Sequence, residues 1–162
     1  MWRKIAYEAL TSWQRKTLDL ASEVLKNAYN PYSHFSVGAA LAAVDGKFFG
    51  GANVENAAYG SVICAERSAI VSAYAQGSCS FKALAVIGRG KDYDLQDVIT
   101  PCGGCRQMIH EAQDVSENKI IIVLSNTKKD KIVLTDIGTL LPYGFGPVAL
   151  GIDISGFRNK HK

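Results

Sequence analysis

The chain has little of what builds the specialised protein classes. Only four of its 162 residues are cysteine and four are proline. Four cysteines are too few to staple a fold that lacks a core. No Pro, Gly or Ser tract divides the chain, and no internal repeat or low-complexity segment is visible, which excludes collagenous and linker-rich architectures. Long apolar runs are missing too: Val37–Val44 falls far short of the roughly 20 residues that a membrane helix needs. At the N-terminus Arg3, Lys4 and Glu8 interrupt the apolar residues, so the continuous core of a signal peptide is lacking. A cytoplasmic protein with no membrane partner is expected. Charge of one sign is also scarce. Lys and Arg number 18 against 15 Asp and Glu, and the halves 1–81 and 82–162 carry 7 against 6 and 11 against 9. Neither half is a basic arm for nucleic acid. What remains is 48% hydrophobic and 20% charged, as in a globular protein. The length suits a single domain over residues 1–150, with 151–162 as a tail and Arg158–Lys162 as a frayed basic end.

Periodicity gives an alternation of helices and strands. Leu18, Ala21, Leu25 and Ala28 recur at helical spacing within Thr11–Ala28. Thr11-Ser12-Trp13-Gln14 has capping-box form, and Asn30-Pro31 stops the helix. Ser36–Val44 reads as a buried strand, Asp45-Gly46 as a hairpin turn and Lys47–Ala52 as the returning strand. Val62–Ala75 is helical, with Gly77 as its stop. Ala83–Ile87 suits a central strand. Thr100-Pro101 opens a further helix to about Ala112, with Thr as N-cap and Pro at the first helical position. Lys119–Leu124 and Ile132–Leu134 are strands, and Thr135-Asp136 caps a short helix before Pro142. A hairpin followed by this alternation predicts a three-layer α/β/α domain with a mixed central sheet.

The cysteines are not scattered. Cys102-Gly103-Gly104-Cys105 is a CxxC pair in the first turn of one predicted helix, and Cys64 lies near the start of another. Helix N-termini favour thiolates, and thiolates are the ligands a soft divalent metal such as Zn²⁺ takes. The pair alone also suits a redox dithiol or half of a structural zinc site. A structural site closes with four protein ligands. Cys79, His34, His110 and His161 are the remaining candidates, and none lies two to five residues from Cys64. Cys79 falls at the far end of the Cys64 helix, about 22 Å away at 1.5 Å per residue. His110, five residues after Cys105, points to another face. The fourth position therefore reads as open, the mark of a catalytic zinc. Glu66, two residues after Cys64, is either a proton carrier beside that zinc or a solvated glutamate complementing the helix dipole.

Cys64-Ala65-Glu66 together with Pro101-Cys102-Gly103-Gly104-Cys105 is the three-cysteine form of the zinc deaminase signature. Further blocks extend the match: Tyr32–Ala39, Gly51–Ala57, Cys64–Arg67, Pro101–Gln107, and Leu140-Leu141-Pro142 ahead of Phe145-Gly146-Pro147. In register from about Trp13 to Leu150, the chain resembles the small, homotetrameric cytidine deaminases of nucleoside salvage. That resemblance implies one zinc per subunit on Cys64, Cys102 and Cys105, with Glu66 shuttling protons. It implies that Phe35 packs against the pyrimidine, that Asn53 and Glu55 bind the ribose 3′-hydroxyl, and that the Ala65 N–H reaches the ring carbonyl. The Thr100 carbonyl would face the departing amine. Arg67 would hydrogen-bond the ligand sulfurs, and Phe145 would enter a neighbouring subunit's site. His34 and Cys79 receive no role, nor does Tyr59, although it falls at a family position. The expected reaction is hydrolysis of cytidine and 2′-deoxycytidine to the uridines and ammonia.

Three competing readings share these residues. A nucleic-acid editing deaminase needs a basic, aromatic-lined groove, which the balanced charge does not supply. A deaminase of a nucleoside antibiotic such as blasticidin differs after the Asn-Val pair, where this chain has Glu55-Asn56. A non-enzymatic zinc module would bind metal and turn over no cytosine nucleoside.

Overall fold

The structure, a computed structural model, describes residues 1–158. Residues 159–162 of the expected frayed end lie outside the described residues. Phe35–Ala43 (β2) and Phe48–Ala52 (β3) form the expected hairpin, with Gly38 opposite Ala52 and Ala42 opposite Phe48. Gly46 in the turn has φ +92°, a backbone that its missing Cβ permits. The other edge of β2 pairs antiparallel with Phe81–Gly90 (β4), which pairs parallel with Ile121–Ser125 (β5). Ile132–Thr135 (β6) and Trp2–Lys4 (β1) complete the order β1-β6-β5-β4-β2-β3. Only β4 and β5 run parallel, so the sheet is mixed. A parallel pair requires a crossover, here Gly103–Ser116 (α3).

Side chains alternate across a strand, and each sheet face builds its own core. Ser12–Val24 (α1) covers one face, where Leu18 and Ala21 join Ala40, Ala85, Ile87, Val123 and Leu134. Ala65–Ala75 (α2), α3 and the short Ile137–Leu140 (α4) cover the other, where Ala69, Ile70, Ile109 and Ile137 meet Ala39, Leu41, Leu84, Val86 and Leu124. This is the three-layer α/β/α arrangement expected from the sequence. A turn of 3-10 helix at Pro147–Leu150 and Ser155–Arg158 (α5), which packs beside α3, end the described chain.

Several boundaries differ from the periodicity. α1 stops at Val24 and a 3-10 turn, Leu25–Asn27, takes over before Asn30-Pro31. α2 starts at Ala65 rather than Val62, because Val54 and Ile63 exchange backbone hydrogen bonds at 2.9 and 3.0 Å and hold that segment extended. α3 starts at Gly103 rather than at Thr100-Pro101. There the Arg106 guanidinium bonds the Pro101 carbonyl at 2.8 Å and the Thr100 hydroxyl at 3.2 Å, keeping the two residues outside the helix. β4 runs beyond Ala83–Ile87 at both ends, and β1 had no sequence signal.

Candidate functional site

The starts of α2 and α3 make the site. Cys64 is the N-cap of α2 (φ −71°, ψ 155°) and Cys102 the N-cap of α3 (φ −67°, ψ 169°), and neither helix has a side-chain cap. Their first N–H groups are therefore left for something else to satisfy. Cys105 is buried in the first turn of α3. The two glycines between Cys102 and Cys105 leave this turn unobstructed: a Cβ on either would meet nothing within 4 Å. Gly51 on β3 sets the position of α2, since a Cβ there would lie 2.3 Å from the Ala69 nitrogen and 2.6 Å from the Ala65 carbonyl oxygen. Only the bare backbone lets the helix start come so close to the sheet.

The sulfurs of Cys64, Cys102 and Cys105 all lie within 4.8 Å of one another, and those of Cys64 and Cys102 are 3.9 Å apart. Tetrahedral zinc with bonds of about 2.3 Å sets its sulfurs roughly 3.8 Å apart, so the cluster fits that ion. It is the one such cluster of His, Cys, Asp and Glu among the described residues, and Cys79 is not part of it. Three protein ligands leave the fourth tetrahedral position open, the arrangement of a catalytic rather than a structural site.

The thiols are electrostatically poised. A hydrogen bond from Cys105 brings the Cys64 thiol down to about 6, with help from Cys102 and the Arg67 charge and against its partial burial and Glu66. Cys105, which donates that bond and is itself buried, is pushed up in turn. A metal ion replaces the shared proton when it binds. Glu66 is 4% exposed. Burial pushes its carboxyl up, opposed by its own backbone N–H and by the Cys105 thiol, which places it against the cluster. A carboxyl raised toward neutrality can both take and give a proton. Arg67 acts on Cys64 as a charge; among the described residues its guanidinium makes no hydrogen bond to a ligand sulfur.

Beside the cluster, the loop ahead of β2 and the end of β3 are tied together by side chains. The Asn53 amide accepts from the Val37 N–H at 2.8 Å and donates to the Phe35 carbonyl at 2.9 Å. One N–H and one lone pair of that amide remain for a ligand. A single oxygen of Glu55 accepts from the N–H groups of Tyr32 and Ser33, at 2.9 and 3.2 Å. The Ser33 hydroxyl and those two N–H groups hold the Glu55 carboxyl below its ordinary range, so it stays an acceptor. Tyr32, Ser33, Glu55, Tyr59 and Val62 line a cleft of about 320 Å³, with the Tyr32 and Tyr59 rings edge to face at 5.8 Å. Half-buried Phe35 lies over Gly88, where a Cβ would meet its ring at 3.2 Å. Phe145 is 60% exposed on a loop that α3 carries: Gln107 donates to its carbonyl at 2.6 Å, and at Gly144 a Cβ would collide with the His110 ring.

The structure thus brings Cys64, Cys102, Cys105 and Glu66 into one cluster, and Phe35, Asn53 and Glu55 into one network. His34, exposed at φ +55°, is outside the thiol cluster and bears on the network only as a charge that helps to hold the Glu55 carboxyl down. Tyr32 and Val62 were not singled out from the sequence, and only the fold places them beside Glu55 and Tyr59. Arg106 and Gln107 lay inside a recognised block without a role, and no periodic signal reveals their reach into distant loops.

Residues 11–123 match the family model described as the cytidine and deoxycytidylate deaminase zinc-binding region. The chain is 42% identical over 130 residues to a cytidine deaminase of Sporosarcina psychrophila, covering 80% of this chain and 89% of that one. It is 39% identical over 125 residues to a cytidine deaminase of Halalkalibacterium halodurans, covering 77% and 88%. The crystal structure of cytidine deaminase from Burkholderia pseudomallei superposes with a TM-score of 0.73 at 40% identity, covering 84% of this chain and all of that one.

Proposed function

The chain belongs to the cytidine and deoxycytidylate deaminase zinc-binding family, and from that premise we propose that it removes the 4-amino group of free cytidine by hydrolysis. The observation that carries this reading is a buried carboxyl, Glu66, set against three thiols at two uncapped helix starts. Cys64, Cys102 and Cys105 would hold the zinc, which when bound supplies Lewis-acid activation of water near neutral pH.

The residues of the chain do the rest. Phe35 packs against the pyrimidine, and the Ala65 N–H, unused at the start of α2, meets the ring carbonyl. Glu66 takes a proton from the attacking water and delivers it to ring N3, so C4 becomes electrophilic and bonds the water oxygen. A second transfer through Glu66 protonates the amine. The C4–N bond breaks toward the Thr100 carbonyl, giving uridine and ammonia. Arg67 offsets part of the negative charge of the ligand sulfurs through its charge near Cys64, since three thiolates would otherwise outweigh the ion.

Asn53 and Glu55 address the ribose 3′-hydroxyl. Both cytidine and 2′-deoxycytidine carry that group, so both are substrates. The Glu55 carboxylate repels a 3′-phosphate, which disfavours a nucleotide inside a nucleic-acid strand. Nucleoside salvage in the cytoplasm is the role that follows, and no helix among the described residues is long and apolar enough to cross a membrane. The exposed rings of Phe145 and Tyr143, with Val148 and Leu150 nearby, support a homotetramer in which Phe145 enters a neighbouring site. Residues 1–150 form the catalytic domain and 151–162 its tail.

Glu66→Ala decides the central role. Zinc stays at one per chain, because Glu66 is not a ligand, while kcat on cytidine falls by about 100- to 10,000-fold. Full turnover by the zinc-loaded variant would refute the proton shuttle. Cytidine compared with cytidine inside an oligonucleotide separates the nucleoside enzyme from an editing deaminase.

A further inference from the structure

An arginine with no carboxylate partner sits one residue past the last cysteine of the cluster. Arg106 occupies the first full turn of α3 and spends its guanidinium on three neutral acceptors: Nε on the Pro101 carbonyl at 2.8 Å, Nη1 on the Leu140 carbonyl at 2.9 Å and Nη2 on the Thr100 hydroxyl at 3.2 Å. Among the described residues it forms no ion pair. Hydrogen bonds to a charged donor are roughly twice as strong as neutral ones. A guanidinium fork also fixes direction in a way that an ammonium cannot. The three acceptors come from two separate places. Thr100 and Pro101 form the extended lead into α3, and Leu140 ends α4, where helix carbonyls lack partners.

We infer that Arg106 is a positioning residue, the clamp that aims the Thr100 carbonyl at the departing amine and locks that loop to the end of α4. The inference rests on the reading given above for the Thr100 carbonyl. Proline fixes its own φ, so the Thr100 carbonyl swings mainly about the Thr100 Cα–C bond, and the bonds from Nη2 to the Thr100 hydroxyl and from Nε to the Pro101 carbonyl span that torsion and hold it. Leu140 ties the same guanidinium to the start of the loop that carries Phe145, so one side chain holds both the Thr100 edge of this site and the loop whose ring enters a neighbouring one.

Arg106→Lys tests the clamp, because it keeps the charge but cannot span three acceptors. The expected result is a fall in kcat for cytidine of about 100-fold, the scale of an ångström-sized misplacement. KM stays within about threefold, since the lost contact matters only after the substrate has bound. Zinc remains at one per chain, and hydrogen exchange quickens at the amides of residues 98–100 and of Cys102. Thr100→Val removes a single arm and is expected to lower kcat by about 10-fold; it carries the same decision should the lysine variant fail to fold. Unchanged kcat overturns the inference. With a loosened loop the fault lies in the reading of the Thr100 carbonyl, and with an unaltered loop it lies in the clamp. Loss of zinc overturns it as well, because Arg106 would then be holding the ligands rather than the carbonyl.

Discussion

The helix starts of the molecule are built in two opposite ways. α1 opens with a complete capping box, in which the Thr11 N–H donates to the Gln14 side chain at 2.9 Å and the Gln14 N–H returns to the Thr11 hydroxyl. α4 opens on Asp136, whose carboxylate accepts from the Thr139 N–H at 3.0 Å. α2 and α3, on the same face as α4, open on Cys64 and Cys102, which cap nothing. A capped start stabilises its helix and is chemically silent. An uncapped start keeps its N–H groups and positive dipole end for a thiolate, a carboxylate or a ligand. The site therefore lies where the fold forgoes local stability.

The strongest way to break this contrast is to give α3 a cap. In Cys102→Ser the backbone already has N-cap dihedrals and the new hydroxyl can reach the first-turn N–H groups. Zinc binding fails and activity falls by more than about 100-fold, beyond what losing an outer partner costs. With chelator present, however, the variant is more stable than the equally metal-free parent by about 1 kcal/mol, a rise in Tm of roughly 2–4 °C. A fall in Tm under those conditions would show that Cys102 already stabilises the helix start, and that no trade between cap and ligand exists. The converse change is Thr11→Ala on the silent side. It removes the box, costs about 1 kcal/mol by denaturant unfolding and leaves kcat on cytidine unaltered. A change in kcat would mean that the α1 face communicates with the site.

The same contrast explains what could be read from the sequence. The capping box of α1 is a local pattern, and Thr11-Ser12-Trp13-Gln14 displayed it correctly. The hairpin at Asp45-Gly46 and the apolar strands are also local, and they led to the three layers. The cysteine spacing pointed to metal, and the matched blocks carried the assignment to a family. The start of α3 falls later than the good local opening at Thr100-Pro101 because the Arg106 side chain reaches back five and six positions to hold those residues outside the helix, a reach that no propensity pattern displays. β1 has three exposed residues and no pattern, and exists only because β6 offers an edge. Gly51 gave no sign that the position of α2 depends on its missing Cβ, since close approach is a property of two elements and not of one. The clustering of Glu55 with Tyr32, Tyr59 and Val62 is likewise non-local.

Asp136 supplies the mildest test, and its sign follows from its surroundings. Burial pushes its carboxyl up, but the Thr139 hydroxyl at 2.9 Å, the Thr139 N–H and Lys119 at 3.1 Å outweigh that and hold it well below the ordinary carboxylate range. A carboxyl depressed in the folded state contributes stability that is fully present above its unfolded value, about 3.9 for aspartate, and that is lost as pH falls through the folded value. Asp136→Asn retains an N-cap acceptor but cannot ionise. It should therefore be less stable than the parent at neutral pH, with the gap in Tm closing as pH drops below about 4. A gap that stays constant across that range would mean that the α4 start is held by the cap hydrogen bond alone. Its charge would then be as idle as the α1 box is neutral, and among the starts of α1 to α4 those at Cys64 and Cys102 would be the ones whose electrostatics matter.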